Sequence, residues 1–196
     1  MLTKSAKGIY VISNINPSRH SYIDEVCSHF GDGFRIFKPH TDNKYNADNS
    51  KIEYGAFFTD KVEMNKADVS LVLMPLFGRD CSSEIGYSHG IGNCVIAYAN
   101  RMETEQERDW LNDWMVKGFL DYIITDNQQA FQLLGSNPLL RQKEQSTQIT
   151  INHKIKSLGE LPEIVQKLLA EKINSQNLLM RLDKKVRKAY YSSLHT

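Results

Sequence analysis

Two apolar runs separated by a short glycine-punctuated stretch restrict this chain more than any other feature. Val69 to Leu76 is continuous and apolar, Cys94 to Ala99 is a second such run, and Gly78-Arg79-Asp80-Cys81-Ser82-Ser83-Glu84-Ile85-Gly86-Tyr87-Ser88-His89-Gly90-Ile91-Gly92 lies between them. Runs of that length, apolar on both faces, suit strands covered on both sides, and the polar loop and short helix between them complete a βαβ unit. Ligands of such open sheets bind outside the carboxyl ends of the strands, where Asp80 and Glu84 fall. Ser82 or Ser83 can cap the helix, which leaves Glu84 in its first turn, where the helix dipole favours an ionised carboxylate.

The rest of the chain repeats the alternation. Gly8 to Ile15 reads as a strand from its β-branched and aromatic content. Asn16-Pro17-Ser18-Arg19 turns into a helix with Tyr22, Val26 and Phe30 four residues apart, ended by Gly31 and Gly33. Phe34 to Phe37 is a short strand, and Lys38 to Ser50, rich in Asn, Asp and Lys, reads as a surface loop over the site. Glu53 to Lys66 places Tyr54, Phe57, Phe58 and Val62 at helical spacing, with Asp60 at the edge of that stripe. Met102 to Lys117 is a charged helix with Trp110, Leu111, Trp114 and Met115 on its apolar face, and Phe119 to Thr125 is a fifth strand. The alternation predicts a three-layer, doubly wound α/β fold around a parallel five-stranded sheet over residues 1–134. A C-terminal extension, 135–196, begins as a loop. Ile149, Ile151 and Ile155 could add an edge strand, Leu158 to Ile173 is helical with Leu161, Val165, Leu168 and Leu169 on one side, and a basic helical tail follows.

Composition narrows the function. The chain has 196 residues and a formal charge of +1, which favours a small-molecule ligand over nucleic acid. Its three cysteines, Cys27, Cys81 and Cys94, have no paired-ligand spacing, and Met1 to Gly8 does not read as a secretory leader. Those features, with no run of membrane-spanning length, predict a cytoplasmic protein without a membrane partner. Carboxylates without a His partner at ligand spacing predict no metal, and no cofactor is implied.

At Asp60, at Ala67-Asp68 before an apolar strand, and at Asp80 to Tyr87 with its Glu84-Ile85-Gly86-Tyr87 ahead of a glycine-containing helix, the sequence resembles the nucleoside 2-deoxyribosyltransferase family and the related nucleotide N-glycosidases. Val95-Ile96 in the next strand fits as well, and the likeness covers Gly8 to Thr125. The resemblance implies that Glu84 is a nucleophile, that Asp60 holds or protonates the nucleobase, and that Asp80 lies near sugar and base. It also implies that Tyr10 contacts the nucleophile and that Asp121 is the nearest equivalent of a residue lent to a neighbouring subunit's sugar site. A homo-oligomer, a nucleoside or nucleotide, and a free nucleobase are the partners expected.

The chemistry asked of these residues is cleavage of an N-glycosidic bond through an oxocarbenium-like transition state. A carboxylate that attacks the anomeric carbon divides one hard step into two, as in retaining glycosidases. Glu84 would have to be ionised, kept so by the helix N-terminus and a Tyr10 hydrogen bond, and Asp60 would need burial to hold a proton. The rival reading is a hydrolase of (deoxy)nucleoside 5′-monophosphates, with Ser13, Ser18, Arg19, Ser82 and Ser83 as phosphate donors and Arg79 pairing with a phosphate or with Asp60 or Asp80. A third reading is a nucleotide-binding module without turnover. Asp68 reads as a strand-entry residue rather than a catalyst.

Overall fold

Six strands pair in parallel into one sheet of order β2-β1-β3-β4-β5-β6. The computed structural model describes residues 6–45, 53–74, 80–100, 114–126 and 151–193. The strands are β1 (Lys7–Ile12), β2 (Phe34–Phe37), β3 (Val69–Met74), β4 (Cys94–Ala99), β5 (Tyr122–Thr125) and β6 (Ile151–Lys154). Register runs through Ile9↔Val69, Val69↔Cys94, Ile96↔Tyr122 and Tyr122↔Ile151. Five strands coincide with the apolar runs. The sixth is the edge candidate around Ile151, so residues beyond 134 complete the sheet.

Helices follow from the same periodicities. They are α1 (His20–Ser28), the single turn α2 (Pro39–Asp42), α3 (Glu53–Lys66), α4 (Cys81–Gly90), α5 (Trp114–Phe119) and α6 (Leu161–Ser193), with 3-10 turns at Pro17–Arg19 and Leu158–Glu160. In α1 the four-residue spacing buries Tyr22, Ile23, Val26 and Cys27. Residues 101–113 and 127–150, with the expected contributions of Trp110 and Leu111, lie outside the described residues. Two compact units emerge, Met1–Pro162 and Glu163–Thr196. Helix α6 buries the predicted Leu161, Val165, Leu168 and Leu169.

The four inner strands, β1, β3, β4 and β5, are buried on both faces, as near-continuous apolar sequences require. Tyr10, Ile12, Val72, Met74, Val95, Ala97, Ala99 and Ile123 form one core with Met64 of α3, Cys81 and Ile85 of α4, and Val116 of α5. Ile9, Val11, Leu71, Leu73, Ile96 and Ile124, the alternate residues, are fully buried on the other face. Helix α3 departs from its predicted stripe. Met64 enters the core, but Phe57 and Phe58 are 58% and 56% exposed. The last turn of α3 reaches the core while its earlier turns border a cavity, so aromatic spacing there reports a rim.

The position of that cavity follows from the connections. The chain leaves β1 towards β2 on one side and later crosses to β3 on the other, which opens a crevice at the carboxyl ends of β1 and β3.

Candidate active site

The crevice is a cavity of about 490 Å³ lined by residues of four segments. The loop after β1 contributes Ser13 and Ile15, and α2 contributes Pro39. Ala56, Phe57, Asp60, Lys61 and Met64 come from α3, and Asp80, Ser83, Glu84 and Tyr87 come from α4 and the residue before it. Helical spacing explains the selection. Asp60 and Met64 are one turn apart on α3, and Glu84 and Tyr87 are three residues apart on α4, so each pair lies on one face.

Tyr10 links the core to this site. Its ring is fully buried, stacks on Phe37 of the paired strand at 5.7 Å between centroids, and sends its hydroxyl to Glu84. That hydroxyl donates to Glu84 Oε1 at 3.0 Å and also reaches the Asp60 carboxyl. Burial and the two neighbouring carboxylates push the phenol well above its ordinary pKa, so it remains a proton donor. Asp60 is held from a second direction, since Asn43 Nδ2 donates to its Oδ1 at 2.8 Å.

Three carboxyl groups therefore meet at one cavity, Asp60 and Glu84 partly withdrawn from solvent and Asp80 exposed at its edge. Burial first, then the charge of Asp80 and that of Asp60, raises Glu84 from 4.5 to about 8, against the lowering effect of the Tyr10 hydrogen bond. Asp60 rises from 3.8 to about 6, chiefly through burial and with a contribution from Asp80, while the hydrogen bond from Asn43 opposes the rise. The sequence argument had Glu84 kept ionised by Tyr10 and the helix N-terminus. Desolvation and like charge outweigh those effects and hold Glu84 above the ordinary carboxylate range. Among the described residues, no Lys, Arg or His forms an ion pair with Asp60, Asp80 or Glu84.

The remaining sequence candidates separate clearly. Ser13 is buried in the cavity wall and Ser83 lines it while exposed to solvent. Ser82 is not among the lining residues, and neither serine caps the helix, because Asp80 holds the N-cap position without a side-chain capping bond. The Asp80 carboxylate is thus left to the cavity. Arg19 is exposed in the 3-10 turn and does not line the cavity. Arg79 lies outside the described residues. Asp121 stands at the opposite end of the sheet, where its Oδ2 accepts the Val95 amide at 2.8 Å, so this chain does not bring it to its own cavity. Its position before β5, a strand that points its carboxyl end towards the site, is the physical reason. Asp68 accepts the Gly8 amide at 2.8 Å and enters β3, as its sequence position suggested.

Sequence reasoning passed over two residues, Asn43 and Lys61. Asn43 is completely buried although the polar segment around it reads as surface loop. Lys61 lines the cavity with its ammonium 5.5 Å from the Tyr87 ring centre, and the Tyr87 hydroxyl accepts from Asn65 Nδ2 at 2.8 Å. Lys61 follows Asp60 in sequence, a signal that was available. Asn43 had none, because only the fold brings it to α3. Among the described residues no group of His, Cys, Asp or Glu is arranged to hold a metal ion, and no helix is long and apolar enough to cross a membrane.

A cavity at the switch point of a parallel sheet, lined by three carboxyl groups with the buried Tyr10 hydroxyl behind Glu84, defines an α/β protein with a carboxyl-lined site of small-molecule size. No protein-family model and no curated protein matches the sequence. Among solved structures the chain is similar to the 2-deoxyribosyltransferase of the psychrotolerant bacterium Bacillus psychrosaccharolyticus, with 18% identity and a TM-score of 0.48, over 59% of this chain and 84% of that one.

Proposed function

We propose that this protein cleaves the N-glycosidic bond of a (deoxy)nucleoside and passes the sugar to another base through a glycosyl ester on Glu84. The observation that carries the reading is the Asp60–Tyr10–Glu84 arrangement facing a cavity, with one buried carboxyl raised to about 6 and the other to about 8. Between those values the pair holds one proton. With that proton on Glu84 the site is inert. With it on Asp60, the pair is an anionic nucleophile beside a neutral acid.

A bound nucleoside favours the second arrangement. The anomeric carbon, positive as the transition state develops, is stabilised by an anionic Glu84, and the departing base nitrogen accepts from a protonated Asp60. Tyr10 occupies Oε1 of Glu84, which leaves Oε2 to bond to the anomeric carbon. As that C–O bond forms, the C–N bond breaks, its electron pair goes to the base nitrogen, and that nitrogen takes the Asp60 proton. An acceptor base reverses the sequence. Its nitrogen attacks the anomeric carbon, Glu84 leaves as carboxylate, and the nitrogen's proton returns to Asp60. Phe57, exposed at the rim, offers a flat apolar wall for either base.

The charge of the wall supports nucleosides over 5′-monophosphates. Among the described residues Asp60, Asp80 and Glu84 face Lys61 as the lining cation, Arg19 is not among the lining residues, and Arg79 lies outside the described residues. A phosphate with close to two negative charges would be repelled by Asp80 and by whichever carboxylate is ionised. The nucleotide reading rests on Ser13, Ser83 and Lys61, which could surround one phosphate oxygen each.

Incubation with deoxynucleosides, with and without a free acceptor base, followed by chromatography, separates the readings. Base exchange is the expected result. Release of base without an acceptor identifies a hydrolase, and no turnover of nucleosides or nucleotides overturns the proposal in favour of a binding module.

A further inference from the structure

We propose that Asn43 is a positioning residue for the acid of this site: its side-chain amide pins one oxygen of Asp60 and so places the acid's proton on the other. The role as acid rests on the reading above, but the pinning does not.

The hydrogen bonds define Asn43 fully. Its Nδ2 donates to Asp60 Oδ1 at 2.8 Å and to the Ala56 carbonyl at 3.0 Å, and its Oδ1 accepts the Tyr45 amide at 3.1 Å. Two amide hydrogens meet two acceptors and the carbonyl oxygen meets a donor. The reversed amide would set oxygen against oxygens and N–H against N–H, so the network fixes the orientation. Ala56 and Asp60 are one turn apart on α3, so a single amide grips that helix at two successive levels. The grip is itself anchored, because Asn43 closes α2 through its own N–H to the Pro39 carbonyl, and Lys38 N donates to Asp42 Oδ2 at 2.7 Å. Asn43 is completely buried, which makes an unmade bond at this position expensive.

The chemical consequence concerns a proton. Oδ1 of Asp60 already accepts from an N–H, and the carbonyl oxygen of a neutral carboxyl is the better acceptor of its two. A neutral Asp60 therefore favours its proton on Oδ2. When that O–H bond breaks and the N–H of the leaving base forms, the electron pair stays on Asp60 as carboxylate. The Asn43 bond is strongest to that carboxylate, so it strengthens as the proton departs. Asn43 therefore orients the acid and stabilises the carboxylate it becomes. The other groups facing Asp60 act differently. Tyr10 from β1 reaches the same carboxyl, Asp80 before α4 opposes ionisation, Glu84 adds like charge when ionised, and Lys61 follows it on α3.

The test begins with wild-type protein and no ligand. In ¹H–¹⁵N spectra followed from pH 5 to 9, the Asn43 side-chain amide should move with a midpoint near 6, and the movement should vanish in Asp60→Asn. A signal flat through that range overturns the proposal, whether or not nucleosides are cleaved. Conversely, an amide that titrates in a protein inert towards nucleosides leaves the pinning intact and removes only the proposed reaction. Asn43→Ala supplies the kinetic arm. Loss of a hydrogen bond to a charged group should lift Asp60 by about one unit, moving the acid limb of the kcat/KM profile upwards by that amount with its alkaline limb in place. An acid limb that stays put contradicts the proposal, and if this variant does not fold, the wild-type titration decides alone.

Discussion

The two ends of the sheet carry the same kind of side chain in opposite circumstances. At the amino ends of the strands, Asp68 accepts the Gly8 amide and Asp121 accepts the Val95 amide, each at 2.8 Å. Each aspartate joins the start of its own strand to the neighbouring one, and each is satisfied by a fixed donor. Gly8 belongs to that construction, since a Cβ there would sit 2.9 Å from the Lys66 carbonyl oxygen. At the carboxyl ends, Asp60, Asp80 and Glu84 crowd together around a cavity without an ion-pair partner among the described residues. The contrast separates carboxylates that hold the sheet together from carboxylates that the sheet holds in readiness.

Substitutions can break that contrast or sharpen it. The largest effect is expected from Glu84→Gln, which should lower nucleoside cleavage by about 10⁴-fold or more while the fold persists, as loss of a covalent nucleophile does in other enzymes. Circular dichroism and chromatographic assay check both halves. The same variant should be more heat-stable than the parent at alkaline pH. Glu84 binds its proton more tightly in the folded state (about 8) than in the unfolded chain (near 4.5), so wild-type stability falls as pH rises through that interval. Glutamine carries no such proton, and a melting temperature higher by a few degrees at pH 8.5 than that of the parent is expected. Equal stability at that pH would place Glu84 with the structural aspartates.

Asp60→Asn follows, with kcat reduced by about 10²–10⁴-fold, the usual range for a lost general acid. A bell-shaped kcat/KM profile is the next expectation. Below about 6 both Asp60 and Glu84 are protonated and no nucleophile exists, and above about 8 both are ionised and no acid exists, so activity falls on either side. A rate that climbs steadily through pH 9 would refute the one-proton pair. The smallest effect on turnover belongs to Asp68→Ala and Asp121→Ala. Each should cost roughly 1–3 kcal/mol in denaturant unfolding, because a strand amide loses its acceptor, and should change kcat less than threefold. Large kinetic losses in either would erase the distinction between the two ends.

Much of this was legible in the sequence, and the failures are specific. Strands buried on both faces announce themselves as apolar runs, which is why β1, β3, β4 and β5 lie where Gly8, Val69, Cys94 and Phe119 suggest. Glu84, Asp60 and Tyr10 were legible through the resemblance to a family pattern, and the structure brings these three together. Strand β6 was faint because its alternation is imperfect, and because residues 127–150 separate it from β5. Phe57 and Phe58 misled because helical spacing reports that two residues share a side without reporting what that side meets. Asn43 was invisible for a related reason. A buried amide that meets its partner thirteen and seventeen residues away is a property of the fold, and nothing in Lys38 to Ser50 distinguishes it from the asparagines beside it. The upward shift of the Glu84 pKa was not legible, because local features, a helix N-terminus and a phenol, can be read from sequence, whereas desolvation and two neighbouring carboxyls require coordinates.

The central claim is that Glu84 becomes covalently glycosylated, and mass spectrometry of acid-quenched protein tests it most directly. After brief exposure to a deoxynucleoside without acceptor base, the peptide containing Cys81–Gly90 should carry one deoxyribosyl group as an ester on Glu84, which is discharged by added base and absent in Glu84→Gln. Turnover of the nucleoside with that peptide unmodified at every quench time, or with the sugar on another residue, would contradict the account.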